Sequence, residues 1–312
     1  MPAVIEVKNL TKQFKDVRAV DDLSFTVQKG DVYGFLGQNG AGKSTTIRML
    51  LTLIASTHGT INIFNENLDS HRESILTKIG AIIEKPDLYK YLTAYENLSQ
   101  FAKISGVKVA KHKIMEQLEM VGLADRAKSQ VKTFSQGMKQ RLGIAVALVH
   151  DPELIILDEP TNGLDPQGIA DIRNLVIGLS KIYGKTVLIS SHLLTEIELM
   201  ANRILIIDKG QKVVEGTADE LLDPAKTIVE IETTDNLAAI AKVKVSNWHN
   251  VLKTGSDLLQ FQINRSQIPA LVNDLVLMNI SVLSVQPRHS LENYFLSLTT
   301  APNVEPASVR GI

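Results

Sequence analysis

Short runs of β-branched and other apolar residues alternate with longer stretches of mixed character through the first two thirds of the chain. Val4–Val7, Leu23–Val27, Val32–Leu36, Thr60–Phe64, Leu154–Leu157, Thr186–Ser190 and Arg203–Ile207 predict strands. Helical spacing predicts helices over Lys43–Leu53, Ala94–Ser105, Val109–Val121, Lys139–Val149, Gly168–Ile182 and Leu194–Ala201. Continuous apolar strands between helices predict a sheet buried on both faces, hence an α/β layer fold with parallel strands. Thr93-Ala94-Tyr95-Glu96 and Thr217-Ala218-Asp219-Glu220 read as capping boxes, in which Thr and Glu satisfy orphan amides reciprocally. Asp208-Lys209-Gly210-Gln211, between two apolar runs, predicts a hairpin turn.

Asp223-Pro224 breaks this rhythm and marks a boundary between domains, 1–222 and 223–300, ahead of a flexible tail at 301–312. Beyond it the order becomes β-α-β-β-α-β. Strands are predicted at Ile228–Glu232, Asn250–Lys253, Leu258–Ile263 and Ile280–Val285, and helices at Asn236–Lys242 and Ser266–Met278. That order predicts a small α+β unit of ferredoxin-like type, followed by a last helix, Leu291–Leu298. It carries no catalytic constellation: His249 and His289 are isolated and Trp248 is the sole tryptophan, so packing or dimer contact is its expected role.

Composition narrows the classes. A chain of 312 residues, 44% hydrophobic and 21% charged, can bury a substantial core. Thirty-three basic against thirty-four acidic residues leave a net charge of −1, so no global field draws nucleic acid or anionic lipid. Without cysteine there is no disulfide scaffold, zinc ribbon or thiol chemistry. The start, Met1 to Glu6, shows no secretory signal, and the longest apolar run, Leu142 to Val149, is far below the roughly 20 residues of a membrane span.

Three segments carry chemistry. Gly37-Gln38-Asn39-Gly40-Ala41-Gly42-Lys43-Ser44 fits G-x-x-x-x-G-K-[ST] between a predicted strand and helix. Its glycines let backbone N–H groups turn toward phosphate oxygens. Lys43 then neutralises the β/γ phosphates, Ser44 ligates Mg²⁺, and Thr45 reaches the α-phosphate region. Leu154-Ile155-Ile156-Leu157 ends in Asp158-Glu159, which delivers two carboxylates where open α/β sheets bind ligands. Asp158 is read as a Mg²⁺ holder and Glu159 as the base acting on water. Phe134 to Leu142 opens a helix capped by Ser135, with amides and hydroxyl facing an anion. Alone this last segment reads as a capped core helix.

The order of these parts, followed by Asn162-Gly163-Leu164-Asp165 and Ser190-Ser191-His192, resembles the nucleotide-binding subunits of ATP-binding cassette (ABC) transporters. The resemblance spans residues 4 to about 222. It implies a P-loop NTPase cassette with a parallel or mixed core sheet and a helical subdomain at about 87–150. By the resemblance, Gly37, Asn39, Gly40, Ala41, Gly42, Lys43, Ser44 and Thr45 bind ATP. Ser135 and Gly137 match the signature that binds the γ-phosphate of ATP held by the other subunit. Asp165 belongs to the loop crossing between subunits, and His192 is the switch histidine at the γ-phosphate. Phe14 occupies the place of an aromatic that stacks on adenine, although an isolated aromatic is also an ordinary core residue. Gln136 and Met138 depart from the common Leu-Ser-Gly-Gly-Gln form, and Gln38 stands where proline is usual.

Glu84, in Ile79 to Pro86, occupies a position where most members carry glutamine. In this it resembles the exporters for lantibiotic immunity and bacitracin resistance, which implies a catalytic or metal-side carboxylate there. The stretch 87–97 is where the resemblance places contact with an integral membrane permease. Tyr89, Tyr91 and Tyr95 fit either an exposed rim for that partner or packing within the subdomain. The implied activity is ATP hydrolysis by a homodimer closed around ATP and Mg²⁺. That dimer would be peripheral on the cytoplasmic face of the membrane, powering export of an antimicrobial peptide or other amphipathic compound. An importer-type ATPase with a regulatory C-terminal domain, or a soluble non-transport ABC ATPase, are the alternatives. Nucleic acid is not an expected partner.

Overall fold

A computed structural model of the chain describes residues 2–221, 227–253 and 258–288. The expected break at Asp223-Pro224, the helix Leu291–Leu298, His289 and the tail 301–312 lie outside the described residues. The chain divides into two compact units, which part between Ala218 and Asp219.

The first unit begins with β1 (Ala3–Phe14), β2 (Val17–Gln28), β3 (Val32–Leu36) and α1 (Lys43–Leu50). Then come β4 (His58–Ile63), β5 (Glu66–Asn67), α2 (Arg72–Leu76), β6 (Ile79–Ile82), α3 (Ala94–Ile104), α4 (Lys111–Met120) and α5 (Gln136–Ala147). It closes with β7 (Leu154–Asp158), α6 (Pro166–Lys181), β8 (Thr186–Ser191), α7 (Leu194–Glu198), β9 (Arg203–Asp208) and β10 (Gln211–Thr217); α8 (Ala218–Leu221) begins at its last residue.

Two sheets share this unit. The larger has the order β10-β9-β3-β8-β7-β6, all parallel except β10, which returns from β9 as a hairpin. Lys209 and Gly210 both take positive φ in that turn (47° and 82°), the geometry that matches the twist of a two-residue hairpin. Every residue of β3, β7 and β8 is buried, which is why these strands read as unbroken apolar runs rather than alternating ones. The smaller sheet, β2-β1-β4-β5, is antiparallel. Rings bridge from it to the larger sheet: Phe25 lies 5.9 Å from Tyr33 and 5.7 Å from Phe35.

Strand patterning understates β1 and β2, which run well beyond Val4–Val7 and Leu23–Val27. Asn9 and Asp22 take positive φ (50° and 52°), and the register slips between Val7 and Leu10. These bulges break the two-residue alternation on which sequence recognition of a strand depends. Asn9 Nδ2 donates to Asp22 Oδ1 at 2.8 Å and holds the irregular stretch together. Helix α5 starts three residues earlier than its apolar spacing suggests, because the Ser135 hydroxyl accepts from Met138 N–H and caps it.

Helices α3, α4 and α5 enclose their own core, which includes Leu98, Ile114, Leu118, Val131, Phe134 and Leu142. The capping box at Thr93 and Glu96 starts α3. One turn in, the buried Asn97 side chain accepts from Tyr89 N–H (2.9 Å) and donates to the carbonyls of Tyr89 (3.0 Å) and Thr93 (2.9 Å). One amide therefore pins the loop 89–93 to the subdomain.

The second unit contains β11 (Thr227–Thr233), α9 (Asn236–Lys244), β12 (Leu252–Lys253), β13 (Leu259–Ile263), α10 (Ile268–Leu277) and β14 (Val282–Arg288). Its sheet order is β12-β13-β11-β14, antiparallel throughout. Val229, Ile231, Phe261, Leu271 and Leu275 form its core. Trp248 packs at the edge of that core and donates to Asp274 Oδ2 at 2.8 Å.

Candidate active site

β3, β8 and β7 are neighbours in the parallel sheet, so their carboxyl ends share one rim. Gly37–Gly42 follows β3, Asp158-Glu159 ends β7 and His192 follows β8. Sequence separations of more than 30 residues thereby become hydrogen-bond distances.

The loop after β3 needs its glycines. Gly42, at the start of α1, has φ 106°, and a Cβ there would fall 2.6 Å from the Ala19 carbonyl oxygen. Lys43, only 5% exposed, points its ammonium into this curl. Its Nζ donates to Gly37 O at 2.7 Å and Gln38 O at 3.3 Å, and lies 3.2 Å from Glu159 Oε1. The other Glu159 oxygen, Oε2, is 2.8 Å from His192 Nδ1. Glu159 thus bridges the lysine of the loop and the histidine of the neighbouring strand. Its backbone is left-handed (φ 49°), a conformation that a non-glycine residue holds only where its surroundings impose it.

Asp158 is almost wholly buried. Ser190 pairs with it across β7 and β8, donating Oγ–H to Asp158 Oδ1 at 2.6 Å and accepting Glu159 N–H at 2.9 Å. Asp158 Oδ2 is buried without a hydrogen-bond partner, an acceptor left for a ligand from outside the chain. No role for Ser190 follows from residue pattern alone. Its signal is a polar residue ending an apolar strand, whose partner depends on strand order.

Ser135, Gly137 and Asp165 make their contacts elsewhere. Ser135 caps α5, and Asp165 Oδ1 accepts from Gly168 N–H at 2.9 Å to cap α6. Gln136 donates from Nε2 to Asn162 O at 3.4 Å and so touches the loop that leads to Asp165. Phe14 is exposed at the end of β1, with the Lys12 ammonium 4.8 Å from its ring centre, rather than packed in the core. Glu84 has φ 61° and is well exposed, its Oε1 accepting from Arg48 Nη2 of α1 at 2.6 Å. Arg48 is a partner that nothing in the sequence pattern suggests. Tyr89 and Tyr91 are exposed, whereas Tyr95 packs against the subdomain core, so the three tyrosines divide between the two readings.

A family model described as "ABC transporter" matches residues 20–162. Over 300 residues the chain is 44% identical to the bacitracin transport ATP-binding protein BcrA of Bacillus licheniformis, covering 96% of this chain and 98% of that protein. It is 43% identical over 216 residues to the lantibiotic transport ATP-binding protein SrtF of Streptococcus pyogenes, covering 69% of this chain and 92% of that one. Among solved structures it is similar to the dimeric post-hydrolysis state of the ATP-binding cassette MJ0796 bound to ADP and Pi. That match has 26% identity, a TM-score of 0.62, and coverage of 69% of this chain and 98% of that one.

Proposed function

The chain belongs to the ATP-binding proteins of ABC transporters, ATPases coupled to transport, and from that premise we propose what it powers. Two copies close around two ATP molecules and drive an integral membrane permease that expels an amphipathic antimicrobial peptide. The Lys43–Glu159–His192 array carries the ATP-hydrolysing half of this reading, and the likeness to bacitracin and lantibiotic transport ATP-binding proteins supports the export half. The array sets a cation for the terminal phosphates beside a carboxylate that can take a proton from water, with an imidazole on that carboxylate's far oxygen.

The rate gain in such a site comes from positioning and charge stabilisation rather than covalent chemistry. Glu159 orients the lytic water and accepts its proton, while His192 fixes the carboxylate and faces the γ-phosphate. The signature residues Ser135 and Gly137, with Asp165, serve the ATP held by the second copy, in keeping with the dimeric structure to which the chain is similar. Phe14, exposed beside the start of the cassette, stacks on adenine.

Mg²⁺ fits the donor set. Asp158 offers a buried, unpartnered carboxylate oxygen, and Ser44 a hydroxyl at the start of α1. No cluster of three or more His, Cys, Asp or Glu that could hold a metal by itself occurs among the described residues, which suits a cation arriving with its own phosphate and water ligands. Asp158 and Ser44 would hold it, and it would neutralise charge on the β- and γ-phosphates. Glu84 would join the metal side only by releasing Arg48.

The permease would seat on residues 87–97, where Tyr89 and Tyr91 offer exposed aromatic surface on a loop pinned by Asn97. No helix among the described residues is long and apolar enough to cross a membrane. In this reading the membrane path belongs to the permease, and the chain works at its cytoplasmic face. Deleting the gene should sensitise cells to bacitracin-type or lantibiotic peptides. Wild-type protein should restore resistance and Lys43→Ala should not. Unchanged sensitivity to all such peptides, with ATPase activity intact, would overturn the export reading.

A further inference from the structure

Beyond the array itself, one buried contact joins the two segments that carry it. Thr161, two residues past Glu159, donates its hydroxyl proton to Oε2 of Glu196, four residues past His192. Both side chains are buried, at 4% and 7% exposure. We propose that Thr161 and Glu196 form a positioning pair that holds His192 against Glu159. This rests on the ATPase reading above.

Glu196 lies on α7, a helix of five residues that gains little stability from its own hydrogen bonds. Tertiary contacts must place it. Ile197 supplies one: a Cβ on Gly34 of β3 would fall 2.3 Å from Ile197 Cγ2, so α7 sits directly on the strand that leads into the Gly37–Gly42 loop. Thr161 supplies the other, on the far side of the site. The chain entering this anchored helix carries His192, and Leu193 N–H donates to Ser191 Oγ at 3.0 Å just before the helix.

Thr161 acts on the opposite partner. Glu159 is left-handed, and Thr161 is tied down two residues later, so the bend that presents the carboxylate is fixed at its exit. A carboxylate removed from water carries a desolvation cost that an apolar pair of similar size avoids. Its hydrogen bond with Thr161 couples the Glu159 segment to the His192 segment, which is a positional gain rather than a packing gain. Misplacement of catalytic groups by about 1 Å costs on the order of a hundredfold in rate.

The full-length chain is assayed for steady-state Mg-ATP hydrolysis well below its melting temperature, and for equilibrium binding of a non-hydrolysable ATP analogue. Thr161→Val removes the donor at nearly constant volume. It should lower kcat by about tenfold or more while KM and analogue affinity stay within about twofold, and Thr161→Ser should restore most of the rate. Because Thr161→Val strands a buried carboxylate and can compromise folding, Thr161→Val/Glu196→Leu is measured beside it. The apolar pair should recover the melting temperature yet leave kcat low. Recovery of kcat together with the melting temperature, or a wild-type kcat in Thr161→Val, overturns the positioning role. Absence of hydrolysis by the wild-type chain would instead overturn the ATPase reading beneath it.

Discussion

Replacing Glu159 by glutamine should separate three quantities that the wild-type carboxylate couples. Gln keeps the shape and an acceptor oxygen but removes the charge that faces Lys43 at 3.2 Å and His192 at 2.8 Å. At an effective dielectric of about 20 the gross attraction across 3.2 Å is about 5 kcal/mol. Desolvating an ammonium that is 5% exposed and a carboxylate that is 17% exposed offsets most of it, leaving about 1–2 kcal/mol net. Unfolding in urea without nucleotide should therefore show Glu159→Gln less stable than wild type by about that amount. In the proposed site ATP would compete with Glu159 for the same ammonium, so weakening the internal pair should tighten ATP binding by up to about tenfold, the equivalent of ~1.4 kcal/mol. Hydrolysis should fall by about 10²–10⁴, the usual contribution of a positioned base. Polarisation of a fluorescent ATP and phosphate release read the last two. Wild-type hydrolysis in this variant would remove Glu159 from the proton-transfer role. Unchanged stability together with unchanged ATP affinity would refute the competition for Lys43.

Other substitutions test the frame around the site. Gly80→Ala on β6 would set a Cβ 2.1 Å from the Ala147 carbonyl oxygen and 2.9 Å from Pro152 Cγ, forcing strand and α5 apart; a loss of about 1–3 kcal/mol in urea unfolding is expected, and a change below about 0.5 kcal/mol would refute the close approach. Burial, with the Glu215 carboxylate beside it, holds the Tyr33 hydroxyl well above the usual phenol range. Its contribution is thus complete below the ordinary phenol pKa of about 10 and is lost as pH rises toward the folded-state value. Tyr33→Phe should cost about 1 kcal/mol at neutral pH, through the 2.8 Å bond to Glu215, and the gap to wild type should close in alkali. Trp248 is the sole tryptophan and lies in the second unit, so its emission should report that unit alone; Asp274→Ala should shift its urea transition by about 1 kcal/mol or more and leave ATP affinity unchanged.

What the chain determines locally is legible in the order of its residues. β3 occupies Val32–Leu36, as its apolar run implies, because a strand buried on both faces needs nothing but continuous hydrophobicity. The Gly37–Lys43 loop, the acidic end of β7, the caps at Ser135 and Thr93 and the turn at Lys209-Gly210 each depend on residues within a few positions of one another. Their identities follow from backbone sterics and orphan amides, which are properties of short segments.

Tertiary structure decided everything that depends on which strands are neighbours. The order β7-β8-β3 brings Ser190 onto Asp158 and His192 onto Glu159, pairs that are 32 and 33 residues apart. Tertiary contacts set Arg48 of α1 on Glu84 and Thr161 on Glu196 of α7, and β1 and β2 pair in a separate antiparallel sheet through bulges at Asn9 and Asp22. Residue type announces a carboxylate or a hydroxyl, but its partner is chosen by the register and sheet order of segments that fold together only when their apolar faces are buried. The chemistry is therefore written locally, and the wiring between its groups comes from the fold.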